Sequence, residues 1–318
     1  MALTVLVLAN PDDKTLAALG SVGADVELVV GNRAEAFARV APRAEALLAW
    51  SSDRATLEQV FAAAPRLRWV HSWAAGVEWL LFPALVERDV VLTNTRGVYG
   101  YSLAEFALAA MLYFAKDLAR MKASQGAGKW DPFDVQMLRG ATLGLVGYGD
   151  IGRKVAALGA AMGMRVLVLR RHPEPSAGAA APEMVTSKRL LCERSDYLVL
   201  AAPITPETRH FIGKDELDAM GPEGVLVNVG RGGLVDQTAL VAALQRGAIR
   251  GAALDVFETE PLPADDPLYG LDNLLLSPHT ADHTATWREE AMRCFLDNLR
   301  RFVAGEPLLH VVDKARGY

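Results

Sequence analysis

The sequence predicts an α/β fold with two doubly wound parallel sheets, and three observations lead to this prediction. Short apolar runs alternate with Ala- and Leu-rich helical stretches, the order that builds parallel sheets covered by helices. At 318 residues, the chain is long enough for two domains. A glycine-rich turn at 147–152 directly follows the apolar run 141–146 and precedes a helical stretch, which places a strand–turn–helix unit in the second half of the chain.

The first ninety-odd residues are predicted to form a small α/β domain of their own. Its predicted strands are 3–8, 26–30, 46–49, 68–71 and 90–93, with helical stretches such as 53–63 between them. Residues 70–77 follow a strand and are predicted to open a helix. Since open α/β sheets bind ligands at the carboxyl ends of their strands, the amides of Ala75, Gly76 and Val77 could hold a small anion. A plain strand-to-helix turn is the equal alternative.

Residues 101–121 are predicted to form one long helix. Apolar side chains repeat at helical spacing along it, and further apolar residues occupy its other faces. A helix that is apolar nearly all round is buried on more than one side. We therefore expect this helix to cross between domains and to take part in a subunit contact, which predicts a homodimer.

The turn that begins the second domain matches a dinucleotide-binding fingerprint. It consists of Gly147, Tyr148, Gly149, Asp150, Ile151 and Gly152, and the predicted helix 153–162 and strand 166–169 follow it. Gly147 allows the tight turn, Gly149 lets the backbone approach a pyrophosphate, and Gly152 permits close packing of the helix. The amino terminus of the helix adds free amides and a partial positive charge, so we expect a Rossmann cofactor site.

The end of the second cofactor strand indicates which dinucleotide is bound. NAD-specific folds place Asp or Glu there to bind the ribose 2′-hydroxyl, but this chain has Arg170 and Arg171. Two guanidinium groups suit a 2′-phosphate, to which they can donate forked, charge-assisted hydrogen bonds. The sequence therefore favours NADP, with NAD still possible. The alternative is a basic strand end that is only solvated.

Further strands of this second, larger sheet are predicted at 197–201, 225–229, 252–254 and 274–276, and a last helix at 286–303. Polar residues follow three of these strands, namely Arg231, Glu260 and His279. Because the carboxyl ends of parallel strands meet at one edge, we expect these side chains to converge there. Each residue also has a structural alternative: Arg231 could be a loop cation, Glu260 a solvated acid and His279 a buried, hydrogen-bonded histidine. His283 is a rival but is expected to lie inside the following helix, and a His279/His283 metal pair lacks a recognisable third ligand.

Composition excludes several classes of function. Net charge is −5 and 51% of residues are hydrophobic, which offers no general attraction to nucleic acid or to anionic membranes. No apolar stretch reaches membrane-spanning length, and the apolar start of the chain is expected to be a first strand rather than a signal peptide. Cys192 and Cys294 are far apart and lie in no motif, which is typical of reduced thiols. We therefore expect a cytoplasmic protein.

Taken together, these segments resemble the D-isomer-specific 2-hydroxyacid dehydrogenase family over nearly the whole chain. The resemblance depends on motifs in a fixed order, at 147–152, 203–208, 228–233, 255–263 and 277–281. It implies a Rossmann cofactor domain, residues 98–284, inserted in a flavodoxin-like substrate domain, residues 1–97 plus 285–318. It also implies that Arg231 binds the substrate carboxylate, that His279 is the acid/base and that Glu260 pairs with it.

The resemblance assigns further residues to ligands. Substrate is expected to meet Ala75, Gly76, Val77, Arg231 and His279. The cofactor is expected to meet residues of the glycine turn and the later motifs, namely Gly147, Tyr148, Gly149, Asp150, Ile151, Gly152, Arg170, Arg171, Pro203, Thr208, Val229, Gly230, Arg231, Asp255 and His279. Asp255 matches the residue that meets the nicotinamide amide. No metal is expected.

Departures from the family pattern narrow the expected activity. Arg170 replaces the usual acid, as in NADPH-preferring glyoxylate/hydroxypyruvate reductases. Formate dehydrogenases have glutamine at the position of Glu260, and phosphite dehydrogenases have lysine at that of Ala75, so neither subclass is expected. We expect an NADPH-dependent oxidoreductase that reduces a small 2-keto acid to a D-2-hydroxy acid.

Two alternatives stay open. Trp73 and the Tyr99–Tyr101 region could line a pocket for a bulkier keto acid, or the chain could be a cofactor-sensing binding protein like the co-repressors of this fold.

Overall fold

The computed structural model describes residues 2–51, 53–170 and 182–317. The chain divides into two compact units, one comprising Met1–Val98 and Ala285–Tyr318 and the other Tyr99–Thr284. Arg171 lies outside the described residues, so the expectation for Arg171 is not addressed by the structure.

The strands are numbered along the chain as β1 (Leu3–Leu8), β2 (Val26–Gly31), β3 (Ala46–Ala49), β4 (Trp69–Ser72), β5 (Val91–Thr93), β6 (Thr142–Val146), β7 (Arg165–Leu169), β8 (Glu183–Val185), β9 (Tyr197–Leu200), β10 (Val225–Asn228), β11 (Gly251–Leu254) and β12 (Leu274–Leu276). The α-helices are α1 (Arg54–Ala63), α2 (Pro83–Glu87), α3 (Gly100–Ala115), α4 (Leu118–Gly126), α5 (Asp150–Ala161), α6 (Lys188–Arg194), α7 (Lys214–Met220), α8 (Gln237–Gln245) and α9 (Trp287–Ala304). Short 3-10 helices cover Lys14–Ser21, Ala34–Phe37, Ala41–Arg43, Glu78–Leu80, Gly232–Leu234 and Pro267–Gly270.

The first unit contains a parallel sheet with strand order β2-β1-β3-β4-β5. Successive residues of β1 point to opposite faces, and both faces are buried. Leu6 and Leu8 pack in a cluster with Phe61 of α1, whereas Val5 and Val7 pack in a cluster that α9 completes. Burial on both faces explains why β1 is a continuous apolar run rather than an alternating one.

The second unit contains a parallel sheet with strand order β12-β11-β10-β9-β6-β7-β8. The chain proceeds from β6 to β7 and β8 on one side and then returns to β9 on the other, so the strand order reverses at β6. Ligands of open α/β sheets bind at such a switch point, beyond the carboxyl ends of the strands. The glycine turn lies there. The prediction of two doubly wound parallel sheets is therefore confirmed.

The prediction of one helix over 101–121 is wrong, because the structure has two helices, α3 and α4, in this region. The break is at Asp117, which has a φ of 49° in the left-handed region. The Asp117 carboxylate then accepts a hydrogen bond from the Arg120 amide at 3.3 Å and caps the start of α4. Apolar spacing continues across the break, which is why periodicity did not reveal it.

Two further helix predictions need correction. After β4 the chain bends at Trp73, Ala74 and Ala75, and the single 3-10 turn Glu78–Leu80 comes next, not an α-helix. His283 is not inside a helix either, because α9 begins at Trp287. Among the described helices, none has the combination of length and apolar content that a bilayer span requires.

Candidate active site

The glycine turn has the geometry of a phosphate cradle. Gly147 has a φ of 93°, and a β-carbon there would lie 2.8 Å from the Ala201 carbonyl oxygen. A β-carbon on Gly152 would collide with the Gly147 carbonyl, so the helix start and the turn touch through backbone alone. Helix α5 begins at Asp150, and no side chain caps it at Gly149. The first amides of α5 can therefore donate to a bound pyrophosphate.

Arg170 lies beside this cradle. Strands β6 and β7 pair in parallel with Val146 opposite Leu169, and the Gly147 amide donates to the Leu169 carbonyl at 3.0 Å. The residues that follow these two strands therefore reach the same edge of the sheet. Arg170 is half-buried there, at the position where NAD-specific folds carry an acid. The glycine turn and Arg170 therefore lie together where a dinucleotide would bind.

The loop after β9 carries two of the predicted cofactor residues, Pro203 and Thr208. The Thr208 hydroxyl donates to the Pro203 carbonyl at 2.8 Å and accepts from the Thr205 amide at 2.7 Å. These bonds close the loop on itself. A backbone bond from His210 to Gly233, at 2.7 Å, then joins it to the loop that follows β10.

That loop after β10 positions Arg231. Asn228, the last residue of β10, is buried; its Oδ1 accepts from the Gly230 amide at 3.1 Å and its Nδ2 donates to the Arg231 carbonyl at 2.9 Å. The Arg231 guanidinium donates to the Gly230 carbonyl at 2.7 Å, while Val229 and Gly230 are both buried. The backbone around Arg231 is thus fixed by one amide side chain. The positive charge of Arg231 favours the ionised form of the Glu260 carboxyl and so contributes to lowering its pKa.

Glu260 and His279 form an ion pair, with 2.6 Å between Oε2 and Nδ1. The second oxygen of Glu260 accepts the Phe257 amide at 2.9 Å. The bond to Glu260 is the largest influence on the pKa of His279 and raises it, although burial opposes the shift. The pKa of Glu260 lies below its usual value, because its bonds to His279 and Phe257 outweigh the opposing effect of burial. The arrangement favours the charged form of the imidazole next to a carboxylate.

Asp255 is almost fully buried and anchors the loop that carries His279. Its Oδ1 accepts the Ser277 hydroxyl at 2.6 Å and the amides of Thr280 and Ala281 at 3.0 Å each. The Ser102 hydroxyl, on α3, donates to the Ala281 carbonyl at 2.5 Å and adds a further attachment. One carboxylate therefore ties β11 to the residues on both sides of His279.

The rival histidine, His283, lies next to Asp282. Its Nε2 is 3.7 Å from Asp282 Oδ1, and burial raises the pKa of the Asp282 carboxyl. Within the described part of the chain there is no cluster of three or more residues that could hold a metal ion. The structure thus pairs Glu260 with His279.

In the first unit, the predicted anion-binding residues Ala75, Gly76 and Val77 follow β4. Two residues after β5 hold the start of this segment by its carbonyl groups. The Asn94 side chain donates to the Ala75 carbonyl at 2.6 Å, and the Thr95 amide donates to the Ala74 carbonyl at 3.3 Å. These two hydrogen bonds fix the backbone of Ala74 and Ala75, directly before Gly76.

Three residues that shape this site through hydrogen bonds, without a role in the reaction itself, were not predicted from the sequence. These are Asn94, Asn228 and Ser277. Each is a small polar residue within or directly after an apolar strand, which is a signal that the printed sequence does carry. The partners of Asn94 and Ser277 follow other strands, so the roles of these two residues require the three-dimensional register, whereas Asn228 bonds within its own loop.

Comparison with known proteins agrees with this geometry. The family model "D-isomer specific 2-hydroxyacid dehydrogenase, NAD binding domain" matches residues 108–281. A glyoxylate reductase from Korarchaeum cryptofilum is 39% identical over 258 residues, which are 78% of this chain and 76% of that protein. The D-3-phosphoglycerate dehydrogenase of Methanocaldococcus jannaschii is 33% identical over 312 residues; the match covers 97% of this chain but 59% of that protein.

A solved structure shows the same fold. It is an NADPH-dependent glyoxylate/hydroxypyruvate reductase from Sinorhizobium meliloti in complex with citrate, with a TM-score of 0.83 and 28% identity. The similarity covers 98% of this chain and 98% of that chain. With a family model over residues 108–281 and relatives above 30% identity over most of its length, the chain belongs to the D-isomer-specific 2-hydroxyacid dehydrogenase family of NAD(P)-dependent oxidoreductases.

Proposed function

We propose that this enzyme reduces a small 2-keto acid to a D-2-hydroxy acid with NADPH, and that glyoxylate and hydroxypyruvate are its first candidate substrates. The observation that carries the proposal is the 2.6 Å bond between His279 and Glu260. Glyoxylate reductases among the relatives, and the NADPH-dependent reductase among the solved structures, support the substrate class and the cofactor.

His279 is the proton donor in this proposal. When bound, the nicotinamide supplies the hydride that adds to C2 of the keto acid. The oxygen at C2 then gains negative charge and needs a proton. His279 holds that proton near neutral pH because Glu260 raises its pKa, and with Nδ1 bound to Glu260 the ring presents Nε2 as the donor.

Arg231 binds and orients the substrate carboxylate. A guanidinium can donate two parallel hydrogen bonds to a carboxylate, which fixes both its position and its plane. Asn228 supports this role, because it holds the Arg231 backbone on a buried strand end. In the first unit, we assign the amides of Ala75, Gly76 and Val77 to carboxylate binding as well.

The cofactor is held by the glycine turn and Arg170. The phosphate cradle at 147–152 suits either dinucleotide, so the preference comes from the strand end after β7. Arg170 favours the additional 2′-phosphate of NADP, and NAD is the weaker alternative. The other residues assigned to the cofactor are Pro203, Thr208, Val229, Gly230 and Asp255.

A bulkier keto acid is the second candidate substrate. Trp73 lies two residues before Ala75, and its ring packs against Trp50 and Trp287 with centroids 6.4 and 5.4 Å away. Such a cluster of aromatic rings next to a carboxylate-binding segment favours an apolar substrate side chain over a small polar one. Aromatic and branched 2-keto acids are therefore included in the substrate panel described next.

The test is a substrate panel with two cofactors. Oxidation of NADPH and NADH is followed with glyoxylate, hydroxypyruvate, phenylpyruvate and a branched 2-keto acid. We expect the highest kcat/KM with NADPH and one of the two small substrates. A clear preference for phenylpyruvate would establish the second candidate, and turnover of none of the four would refute the proposed reaction.

A pair of variants tests the acid. His279→Ala should lower kcat by roughly 10²–10⁴, the usual worth of positioned acid catalysis. His283→Ala is the matched control, four residues away and paired with Asp282 instead, and should leave kcat unchanged. The melting temperature separates catalysis from folding. If His279→Ala were less stable but fully active, or if only His283→Ala lost activity, the assignment of the proton donor would be wrong.

We also propose a cytoplasmic homodimer. The two free cysteines suit a reducing compartment. The segment that begins with α4 exposes several large apolar side chains, which are a liability unless another surface covers them. These are Leu118, Met121, Trp130, Val135 and Met137.

A further inference from the structure

The conformation of His279 requires support from its surroundings. Its φ of 53° lies in the left-handed region, which is unfavourable for a residue with a β-carbon. Such a conformation persists only where neighbouring structure holds it. The preceding residues take part directly, because the His279 amide donates to the Ser277 carbonyl at 2.9 Å.

The support comes from a single carboxylate oxygen. Asp255 and Ser277 directly follow β11 and β12, and these strands pair with Leu254 opposite Leu276. The Ser277 hydroxyl therefore meets Asp255 Oδ1 at 2.6 Å, the shortest of the three bonds to that oxygen. The other two come from amides beyond His279. The loop is thus attached on both sides of the histidine to one atom.

We propose that Ser277 is a positioning residue for the reduction: its hydroxyl fixes the Asp255 carboxylate, which in turn holds the loop that aims His279. This inference rests on the proposed role of His279 as proton donor. Without the hydroxyl, Asp255 Oδ1 keeps only the two longer amide bonds, and the carboxylate can turn about its Cβ–Cγ bond. The loop then loses its side-chain attachment on the amino-terminal side of His279, where the backbone bond from the Ser277 amide to the Leu254 carbonyl, at 2.8 Å, remains.

A second consequence concerns the charges around the imidazole. Three carboxyl groups, those of Glu260, Asp255 and Asp282, act on His279, and all three favour its protonated form. Displacement of the loop moves His279 away from Glu260 and Asp255, while Asp282 moves with it. Loss of the Ser277 hydroxyl should therefore destabilise the protonated form of His279, in addition to misaligning this proton donor.

The experiment compares three variants of the full-length enzyme. Ser277→Ala removes the hydroxyl, Ser277→Thr retains it, and Thr284→Ala removes an exposed hydroxyl from the same loop as a matched control. We expect Ser277→Ala to lower kcat about tenfold, the equivalent of one hydrogen bond to a charged acceptor, with KM for the keto acid nearly unchanged. Its upper pH limit for reduction should move downward. Ser277→Thr should restore both, and Thr284→Ala should resemble the wild type.

A purely structural serine predicts a different pattern. Ser277→Ala would then have a lower melting temperature but the wild-type kcat and pH limit, and this result would overturn the inference. If Ser277→Ala does not fold, Ser277→Cys keeps the size of the side chain with a weaker donor. NMR titration of His279 in Ser277→Cys should then give a pKa below that of the wild type, and an unchanged pKa would overturn the inference.

The His279→Ala variant separates this inference from the proposed function. If His279→Ala keeps the wild-type kcat, the proton-donor assignment itself fails. If His279→Ala loses kcat while Ser277→Ala keeps it, the donor stands and only the positioning role of Ser277 is refuted.

Discussion

Glu260 Oε2 lies 2.6 Å from His279 Nδ1, and the other oxygen of the same carboxylate accepts the Phe257 amide at 2.9 Å. An ionised carboxylate can only accept hydrogen bonds, so Nδ1 must donate and the ring orientation is fixed. The same contact raises the pKa of His279. Glu260 therefore contributes to both the orientation and the protonation of the imidazole.

Replacing that neighbour should change the pH dependence of the reaction. Reduction requires protonated His279, so activity falls as pH rises through the His279 pKa. Glu260→Gln keeps an acceptor but removes the charge, which lowers that pKa. We expect the upper pH limit of kcat to move to lower pH, while substantial activity remains well below the limit. The pH profile of kcat measures this.

Glu258→Gln is the control for that experiment. Glu258 lies two residues away, where its carboxylate contacts His210 at 2.9 Å instead of His279. Its removal should leave the pH limit in place. Equal shifts in both variants would show that general surface charge, rather than the Glu260 contact, sets the limit.

Much of this site could be predicted from the sequence because parallel sheets obey a simple rule. A residue directly after a strand of such a sheet reaches the carboxyl edge, so the glycine turn after β6, Arg231 after β10 and His279 after β12 were expected to meet there. The periodicity that predicts strands also located them within one or two residues. These features depend only on local pattern and connectivity.

The features that could not be predicted depend on single contacts. Asp117 ends α3 through a left-handed backbone conformation that Asp tolerates but does not require. Short β8, Glu183–Val185, borders a segment without a clear apolar pattern and was not expected. The role of Ser277 follows from its bond to Asp255, which lies after the neighbouring strand, and the role of Asn228 follows from bonds within its own loop; one sequence reveals neither set of bonds.

Arg170 should determine the cofactor preference. A charge-assisted hydrogen bond contributes roughly 1.5–3 kcal/mol, so Arg170→Asp should weaken NADPH binding at least about tenfold and spare NADH. Fluorescence titration with each cofactor measures the two Kd values separately from turnover. Arg165→Asp, at the opposite end of β7, is the matched control and should not change the ratio. Better use of NADH than of NADPH by the unaltered enzyme would contradict the assignment.

The exposed apolar side chains after α3 should form a subunit contact. Trp130 is 97% exposed and Met137 66% exposed, although most large apolar side chains are buried on folding. We expect a dimeric mass by light scattering at micromolar concentration, and a shift toward monomer in the Trp130→Ser/Met137→Ser double variant. Tyr269→Ser, at a residue 58% exposed elsewhere in the second unit, should remain dimeric. A monomeric wild-type mass would refute the dimer.

The last prediction concerns His71, a fully buried histidine of β4 that has no role in the proposed reaction. Thr95 donates its hydroxyl proton to the Ser72 carbonyl at 2.9 Å, so its contact of 3.4 Å with His71 Nε2 requires a proton on that nitrogen. His71 Nδ1 is then the acceptor for the Thr93 hydroxyl at 2.7 Å. In the neutral form of His71, both ring nitrogens therefore have a hydrogen-bond partner.

Burial, with a smaller contribution from His310, lowers the pKa of His71 to about 3. The unfolded chain, with a histidine pKa of about 6.5, therefore binds one more proton than the folded chain between these values. Stability from this group is complete above about pH 6.5 and falls as pH decreases, by at most about 1.4 kcal/mol per pH unit. His279 has the opposite sign, since its raised pKa makes its stabilisation decline as pH rises above the unfolded value. The free energy of unfolding can be measured with urea between pH 5 and 6.5. It should decrease as the pH falls in the wild type, and it should decrease less steeply in His71→Asn. Equal slopes in the two proteins would mean that the buried ring is not the group that takes up the proton.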